Sequence, residues 1–180
     1  MQETNTTTQK MEVGLSIGGN IGDRLAHLRN AVKAIAAISG VQLTDVSPVY
    51  ETEPVGVKPE YRDMPYLNAA VIITSTLPLD ELSKTIHQVE EKLGRTRGDD
   101  RYAPRTIDID ILYAGDTTCN EAKLTLPHPR WAERRFVLQP LADLRADLHI
   151  PGSKRSVAEH LGALPSDSEA VHKLPETLTP

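Results

Sequence analysis

The stretch Thr106-Ile107-Asp108-Ile109-Asp110-Ile111-Leu112-Tyr113 alternates apolar and acidic side chains at its centre. Successive side chains of a β-strand point to opposite faces, so the pattern predicts a strand with buried isoleucines and with both aspartates on its other face. Asp108 and Asp110 would then lie about 7 Å apart along the strand. A strand with one solvated face would show the same alternation. Against that simpler interpretation, Asp is a poor strand former, and two like charges on one face repel unless cations lie nearby.

The paired carboxylates suggest a site for divalent cations. Mg²⁺ prefers hard oxygen ligands and fills its remaining positions with water and with phosphate oxygens. Two Asp side chains on one face of a rigid strand could therefore hold two such ions that share a polyphosphate.

Arginines flank this strand in the sequence on both sides. They are Arg95, Arg97, Arg101, Arg105, Arg130, Arg134 and Arg135. A guanidinium group suits phosphate because its planar fork donates two hydrogen bonds at once. A solvated loop that offsets nearby acidic residues explains any single arginine, whereas the cluster beside a carboxylate pair favours polyphosphate binding. The combination is typical of phosphoryl-type transfer, although the chain has no Gly-x-x-x-x-Gly-Lys-Ser/Thr loop.

The hydrophobic periodicity of residues 13–113 predicts the order strand, helix, strand, strand, helix, strand. The three strands ahead of 106–113 are predicted at 13–17, 41–51 and 67–76. Apolar residues at spacings of three and four predict the helices at 25–38 and 79–93. This order matches a ferredoxin-like βαββαβ core with a mostly antiparallel sheet, which is an α+β fold.

Three shorter elements and two long loops complete the interpretation. A short strand is predicted at 124–126, a helical turn at 131–135 and a last helix at 156–164. The loops at 52–65 and 94–105 are long enough to be functional. The domain prediction is a disordered tail at 1–11, one domain at 12–164 and a polar C-terminal tail at 165–180.

Composition narrows the class of protein. The chain has 180 residues, of which 39% are apolar, and a net charge of −5, which argues against nucleic-acid and membrane-surface binding. Its single cysteine, Cys119, excludes an internal disulfide and suggests a reducing compartment. The N-terminus lacks an apolar signal region, and no apolar run reaches about 18 residues. We therefore expect a cytoplasmic monomer that acts on small molecules.

The run Ala103-Pro104-Arg105-Thr106-Ile107-Asp108-Ile109-Asp110-Ile111-Leu112 resembles the signature of the 6-hydroxymethyl-7,8-dihydropterin pyrophosphokinase family. Other blocks resemble the family in its own order. They are Ser16-Ile17-Gly18-Gly19-Asn20-Ile21-Gly22-Asp23, Tyr50-Glu51-Thr52-Glu53-Pro54-Val55-Gly56, Tyr66-Leu67-Asn68-Ala69-Ala70-Val71, Glu90 with Gly94-Arg95-Thr96-Arg97, Leu126-Pro127-His128-Pro129, and Arg134 with Phe136. The resemblance covers roughly residues 13 to 150, and the chain departs from the family pattern at Tyr102, Ala103 and Arg135.

The resemblance implies a magnesium-dependent transfer of pyrophosphate from ATP to 6-hydroxymethyl-7,8-dihydropterin, with release of AMP, in folate biosynthesis. It implies that Asp108 and Asp110 hold two Mg²⁺ ions. Residues implied to bind ATP are Glu90, Arg95, Arg105, Ile111, His128 and Arg134. Arg97 would lie on a loop that closes over the substrates, and the implied catalytic residues are Arg95, Arg97, Arg105, Asp108 and Asp110.

The resemblance also implies a pocket for the pterin ring. Tyr66 and Phe136 would sandwich the ring, because a flat heteroaromatic group favours aromatic faces on both sides. Asn68 would read the amide-like ring edge, which its one acceptor and two donors can match. Backbone groups around Thr52 and Val55 would assist it.

Three other functions remain open at this stage. An inactive nucleotide-binding module would bind Mg-ATP and release no AMP. A metal-dependent nucleotidyl transferase would release pyrophosphate instead of AMP, and a purely structural ferredoxin-like domain would bind no ATP.

Overall fold

The structure is a computed structural model that describes residues 10–54, 57–96 and 103–179. In chain order its elements are β1 (Met11–Gly19), α1 (Arg24–Ala36), β2 (Val41–Val46), β3 (Tyr50–Thr52), β4 (Tyr66–Ser75), α2 (Leu79–Lys92), β5 (Asp108–Ala114), β6 (Cys119–Glu121), β7 (Leu124–Leu126), α3 (Arg135–Arg145), α4 (Val157–Ala163) and β8 (Val171–Lys173). Short 3₁₀ helices cover Pro59–Tyr61 and Trp131–Glu133. Among these elements, no helix combines the length and the apolar content that a membrane span requires.

The main sheet has the strand order β5-β1-β4-β3-β8, and β2 also pairs with β4. β3 occupies the first part of one edge of β4, and β2 occupies the second part of that edge. Every pairing between the described strands is antiparallel. This topology confirms the predicted α+β, ferredoxin-like core.

Helices α1 and α2 cover one face of the sheet because each carries a continuous apolar stripe. Asp23 begins α1 by accepting a hydrogen bond from the Ala26 N–H at 3.0 Å. The buried face of α1 packs with that of α2 on the odd-numbered residues of β1. Those residues, Val13, Leu15 and Ile17, are fully buried. This side of the sheet is a closed apolar core.

Helices α3 and α4 cover only part of the opposite face. Ala70 and Ile72 of β4 pack there in an apolar cluster with Val137 and Leu138 of α3. Further toward the C-terminal end of β1, the residues on this face become small or polar. The part of the face that α3 leaves uncovered carries Asp108, Asp110 and Asn68.

The predicted strand at 41–51 is two strands in the structure, with a break at Pro48. The Ser47 N–H donates to the Ala70 carbonyl at 2.9 Å, and the Ser47 hydroxyl accepts from the Ala70 N–H at 2.8 Å. Pro48 has no N–H to continue the ladder, so pairing with β4 resumes only at Tyr50. The break gives β3 its own short register beside the beginning of β4.

Two further elements differ from the sequence prediction. The predicted helical turn at 131–135 is a 3₁₀ turn that leads into α3, an eleven-residue helix that contains Pro140. The segment predicted as a polar tail contains β8, which pairs with β3, and Leu178, which is buried in the main core. Short polar strands such as β8 are stabilised by tertiary contacts that no local periodicity shows.

Candidate active site

Asp108 and Asp110 lie on the face of β5 that points away from α1 and α2. The intervening residues Ile107, Ile109 and Ile111 are buried on the other side, in the core. Burial raises the pKa of Asp110 to about 7, and the negative charges of Asp108 and Glu90 act in the same direction. A cation placed beside Asp110 would relieve this repulsion, so the two carboxylates could hold one.

A buried glutamate near the end of α2 fixes one of the arginines beside β5. Glu90 is 1% exposed, and its Oε1 accepts a hydrogen bond from the Ile109 N–H at 2.7 Å. The same oxygen pairs with the Arg95 guanidinium, which also bonds Asp108. The Arg95 N–H donates to the Glu90 carbonyl at 3.0 Å, which ties down the turn after the helix. Arg95 is therefore held between two carboxylates at the edge of the acidic site.

Arg105 is a second arginine bonded to Asp108. Its guanidinium bonds the second carboxylate oxygen at 2.8 Å. The backbone of Arg105 pairs with Asn20 at two points, because its N–H donates to the Asn20 side chain at 2.8 Å and its carbonyl accepts from the Asn20 N–H at 3.0 Å. The Asn20 amide also reaches the Met64 carbonyl at 3.5 Å. Asn20 thus joins the two long loops that the sequence marked as functional.

The central strand β1 contributes a floor without large side chains. Gly18 lies opposite Asn68 of β4 and opposite Asp108 of β5 in the sheet register. A Cβ at Gly18 would lie 2.5 Å from the Asn68 Oδ1, so even an alanine would crowd this position. Asn68 and Asp108 therefore face each other across roughly 10 Å, two strand spacings, with only Gly18 between them.

The residues predicted to bind a ring lie on the same face, on the far side of Gly18. Asn68 is buried, and its amide donates to the Thr52 hydroxyl at 2.8 Å, so part of its hydrogen-bonding capacity is already used. Tyr66 pairs with Thr52 in the register of β3 and β4. Burial raises the pKa of Tyr66, whose charged neighbours are Arg105 and Asp108. The phenol therefore stays neutral and lies close to the acidic site.

The start of α3 brings an aromatic ring and a cation to this face. The Arg134 guanidinium lies 5.5 Å from the centroid of the Phe136 ring, within cation–π range. Burial and the charge of Arg134 lower the pKa of His128, so its imidazole is neutral near pH 7. Asp108 is a further charged neighbour of His128. The start of α3 and the turn before it thus reach toward β5.

The structure brings most of the predicted site residues to one face and separates a few. Asp108, Asp110 and Arg95 lie at one end, and Asn68 and Tyr66 lie across β1. Ile111 faces the core on the other side of β5, so its side chain does not share the aspartate face. Arg97 and Val55 lie outside the described residues.

Three comparisons with known proteins bear on this geometry. The sequence model of the family described as 7,8-dihydro-6-hydroxymethylpterin-pyrophosphokinase (HPPK) matches residues 14–146. The chain belongs to this family. Pyrophosphate transfer in folate biosynthesis is the activity that this membership assigns to it.

Individual relatives agree with the HPPK assignment. The chain is 43% identical over 130 residues to the 2-amino-4-hydroxy-6-hydroxymethyldihydropteridine pyrophosphokinase of Bacillus subtilis, covering 72% of this chain and 75% of that one. The Synechocystis enzyme of the same name is 34% identical over 145 residues, covering 81% and 72%. A mitochondrial folate synthesis bifunctional protein of Pisum sativum is 39% identical over 160 residues, covering 87% of this chain and 30% of its own.

Solved structures support the HPPK fold. A Plasmodium falciparum HPPK-DHPS chain superposes with a TM-score of 0.70 at 16% identity, covering 88% of this chain and 46% of that one. A second structure of that protein gives a TM-score of 0.67 at 16% identity, with coverage of 86% and 43%. At these identities the likeness shows the fold alone. The present chain spans less than half of either structure.

Sequence reasoning missed several residues that shape the candidate site. Gly18 lies in β1 so close to Asn68 that a Cβ there would be 2.5 Å from the Asn68 Oδ1. Arg24 bonds both the Pro65 carbonyl and the Glu51 carboxylate at 2.8 Å, which anchors the loop before β4. Asn20 and Glu169 also support the site through contacts distant in sequence. Asn20 lies in the segment 16–23 that resembles the family, whereas no sequence pattern marked Arg24 or Glu169.

Proposed function

We propose that this chain transfers pyrophosphate from ATP to 6-hydroxymethyl-7,8-dihydropterin across the uncovered face of its sheet. The main support for this proposal is the register of the neighbouring strands β4, β1 and β5. Asn68, Gly18 and Asp108 stand in one row, so a ring bound near Asn68 and phosphates bound near Asp108 would share one surface. A separation of roughly 10 Å across a glycine leaves room for the reacting groups to meet over β1.

Asp108 and Asp110 are the proposed ligands for Mg²⁺, with two ions expected. Among the described residues, no group of three or more His, Cys, Asp or Glu side chains is arranged to hold a metal. A pair of carboxylates still fits Mg²⁺, because this ion keeps several water and phosphate ligands in enzymes that act on nucleotides. When bound, Mg²⁺ supplies polarisation of the phosphates and neutralises the charge of the leaving group.

The arginines are the groups of the chain proposed to orient the triphosphate. Arg95 and Arg105 already converge on Asp108, so their guanidinium groups border the surface where phosphates would lie. Arg134 and neutral His128 approach from the start of α3 and the turn before it, and we assign both to ATP. A preorganised set of donors stabilises charge that develops on phosphoryl oxygens without reorganising during the reaction. Arg97 is proposed to act on the loop that closes over both substrates.

The pterin would lie between Tyr66 and Phe136, with its edge on Asn68. The Asn68 amide already donates to Thr52, so its carbonyl oxygen is the group that can accept from the ring. Backbone groups at Thr52 and Val55 are proposed to complete the edge. Glu90 is proposed to act on the nucleotide through Arg95, which it holds. For Ile111 we propose that its backbone, on edge strand β5, frames the nucleotide.

The reaction proposed here is an in-line displacement at the β-phosphorus of ATP. The hydroxymethyl oxygen of the pterin forms a bond to the β-phosphorus, and its proton is released. The bond between that phosphorus and the oxygen bridging to the α-phosphate breaks, so AMP leaves with the bridging oxygen. The open face thus has to hold both substrates while excluding water that would hydrolyse ATP.

An assay for AMP tests this function directly. The chain is incubated with Mg-ATP in the presence and absence of the hydroxymethyl pterin, and AMP and pyrophosphate are quantified. AMP formed only with the pterin is the expected result. Release of free pyrophosphate would indicate a nucleotidyl transferase, and nucleotide binding without AMP would indicate an inactive module. A failure to bind ATP would leave only a structural domain.

The proposal includes a monomeric, cytoplasmic enzyme whose single domain extends beyond the predicted 12–164, because β8 pairs with β3 and Leu178 is buried in the core. Its single cysteine is consistent with a reducing compartment. Sedimentation at micromolar concentration tests the oligomeric state, and a dimer mass would contradict it.

A further inference from the structure

The segment that follows α4 returns to the beginning of α3. Oε1 of Glu169 accepts a hydrogen bond from the Arg135 N–H at 2.7 Å and one from the Phe136 N–H at 3.4 Å. The Arg135 Nε also donates to the Ser168 hydroxyl at 2.8 Å. A residue 34 positions later in the chain therefore serves the first turn of this helix.

The helix needs this contact because it has no local cap. The first N–H groups of an α-helix have no partner within the helix, and a Ser, Thr, Asp or Asn at the N-cap normally satisfies one of them. The N-cap of α3 is Arg134, which makes no such side-chain bond. Glu169 provides the missing acceptor, and its negative charge lies at the favourable end of the helix dipole.

Glu169 is itself held in place by the main sheet. Two residues further on, Val171 pairs with Thr52 at the edge of β3. The Leu174 N–H donates to the Val49 carbonyl at 2.9 Å, and Leu178 is buried in the core. The chain after α4 is therefore anchored on β3, whose Thr52 binds Asn68, and it reaches α3 from there. It connects both walls of the proposed pterin pocket.

We propose that Glu169 is a positioning residue for pterin binding. Its carboxylate fixes the start of α3 and, through it, the Phe136 ring with the Arg134 guanidinium stacked on that ring. This inference rests on the proposed role of Phe136 in the pocket. It concerns a part of the chain beyond residue 146, where the match to the family ends.

Four variants test it: Glu169→Ala, Glu169→Gln, Phe136→Ala and the control Glu176→Ala, which alters an exposed glutamate of the same segment. Calorimetry measures pterin binding in the presence of Mg²⁺ and a non-hydrolysable ATP analogue, and binding of the analogue alone. We expect Glu169→Ala to raise the Kd for the pterin about five- to tenfold, the scale expected for losing one helix cap. The Kd for the analogue should change less, because Arg134 at the start of α3 is only one of its proposed contacts, whereas Arg95 and Arg105 are not attached to α3.

The glutamine variant separates positioning from general stability. Its amide oxygen can accept the same two hydrogen bonds, so pterin affinity should recover to within about twofold of the parent. Glu176→Ala should bind both ligands normally. If Glu169→Ala does not fold, Glu169→Asp replaces it, since withdrawing the carboxylate by one methylene should weaken pterin binding selectively as well.

Three results would overturn the inference. They are unchanged pterin affinity in Glu169→Ala, equal losses for both ligands, and a glutamine variant as weak as the alanine variant. The Phe136→Ala arm distinguishes this failure from failure of the proposed pocket. If Phe136→Ala weakens pterin binding while Glu169→Ala does not, only the role of Glu169 is wrong. If Phe136→Ala has no effect, the pocket assignment itself is wrong.

Discussion

The two faces of the same sheet differ in almost every property. Along β1, Val13, Leu15 and Ile17 are fully buried under α1 and α2. The alternate positions on the other face include Ser16 and Gly18, which lie opposite Asp110 and Asp108. One face is packed without polar side chains from β1, and the other carries carboxylates, an amide and an aromatic residue of β4.

This contrast shows how one strand can serve stability and chemistry at once. The period of two in a β-strand assigns successive residues to opposite faces, so the faces can be altered separately. The apolar face holds the strands in register, and that register sets the distance between Asn68 and Asp108. If the two faces are independent, substitutions on one face should change catalysis and substitutions on the other should change stability.

Loss of a proposed metal ligand should have the largest effect. Asp110→Ala removes one of two carboxylates on the open face, and we expect kcat to fall by about a thousandfold or more, since charge stabilisation at the phosphates is lost. Thermal unfolding should show an intact fold, because an acidic group with unfavourable like-charged neighbours is removed. Steady-state AMP production measures the change.

Ile109→Val is the matched control on the opposite face of the same strand. It should lower the free energy of unfolding by about 1 kcal/mol. Its kcat should stay within a factor of about two of the parent value. Near-normal turnover in Asp110→Ala would refute the metal assignment.

The raised pKa of Asp110 predicts a pH dependence of magnesium binding. Because the pKa is about 7, the carboxyl group is increasingly protonated below that pH and cannot bind a cation. The apparent Mg²⁺ affinity should fall about tenfold for each pH unit below 7. Without metal the sign for stability is opposite, since the protonated form favours the folded state, and stability should fall as the pH rises from about 4 toward 7.

Titrations of Mg²⁺ at pH 6, 7 and 8 test this, with Asp110→Asn as the control. The amide does not titrate, so any residual Mg²⁺ binding in that variant should lose its dependence on pH in this range. A flat profile in the parent enzyme would show that Asp110 is ionised throughout and that its pKa is normal.

Removing the aromatic ring at the start of α3 should act mainly on one substrate. Phe136→Ala should weaken pterin binding about tenfold, because stacking and apolar contact with the ring are lost. The Kd for an ATP analogue should change less. Val137→Ala is the control on the same helix, since Val137 faces the apolar cluster and its loss should reduce stability without changing the ratio of the two affinities.

Calorimetry for both ligands gives the comparison. Equal losses for pterin and nucleotide in Phe136→Ala would contradict the ring-pocket assignment.

The sequence predicted the parts of the fold that follow from local periodicity. The alternation around Asp108 and the three-and-four spacing in α1 and α2 each report a buried face, so those elements and the antiparallel core followed from pattern alone. The position of the break after Ser47 and strand β8 did not, because both depend on partners far along the chain. The Ser47 hydroxyl bonds the Ala70 N–H, Pro48 has no N–H to continue the ladder, and β8 pairs with β3.

The same division applies to the site. Paired aspartates and clustered arginines can be recognised because these residues lie close together in the sequence. Residues that act through geometry cannot be recognised in this way. Gly18 matters for what lies on the two neighbouring strands, and Glu169 matters because the chain returns to α3 after a long detour. A single sequence does not contain these distances.

The smallest effect on catalysis is expected from a substitution on the apolar face of β1. It is compared with a substitution of the neighbouring residue on the open face. Ile17→Val trims a fully buried side chain and should cost about 0.5–1.5 kcal/mol of stability. Its kcat/KM should stay within about twofold of the parent, since the register of β1 is fixed by eight other paired positions along the strand.

Gly18→Ala, one residue away on the open face, should lower kcat/KM more than it lowers stability. Its Cβ would crowd the Asn68 carbonyl oxygen, so pterin binding should weaken although no core contact is removed. Thermal unfolding measures the stability of both variants, and steady-state kinetics measure their kcat/KM. If Ile17→Val lowered kcat/KM as much as Gly18→Ala did, packing on the closed face would set the geometry of the open one, and the two faces could not be treated as separate.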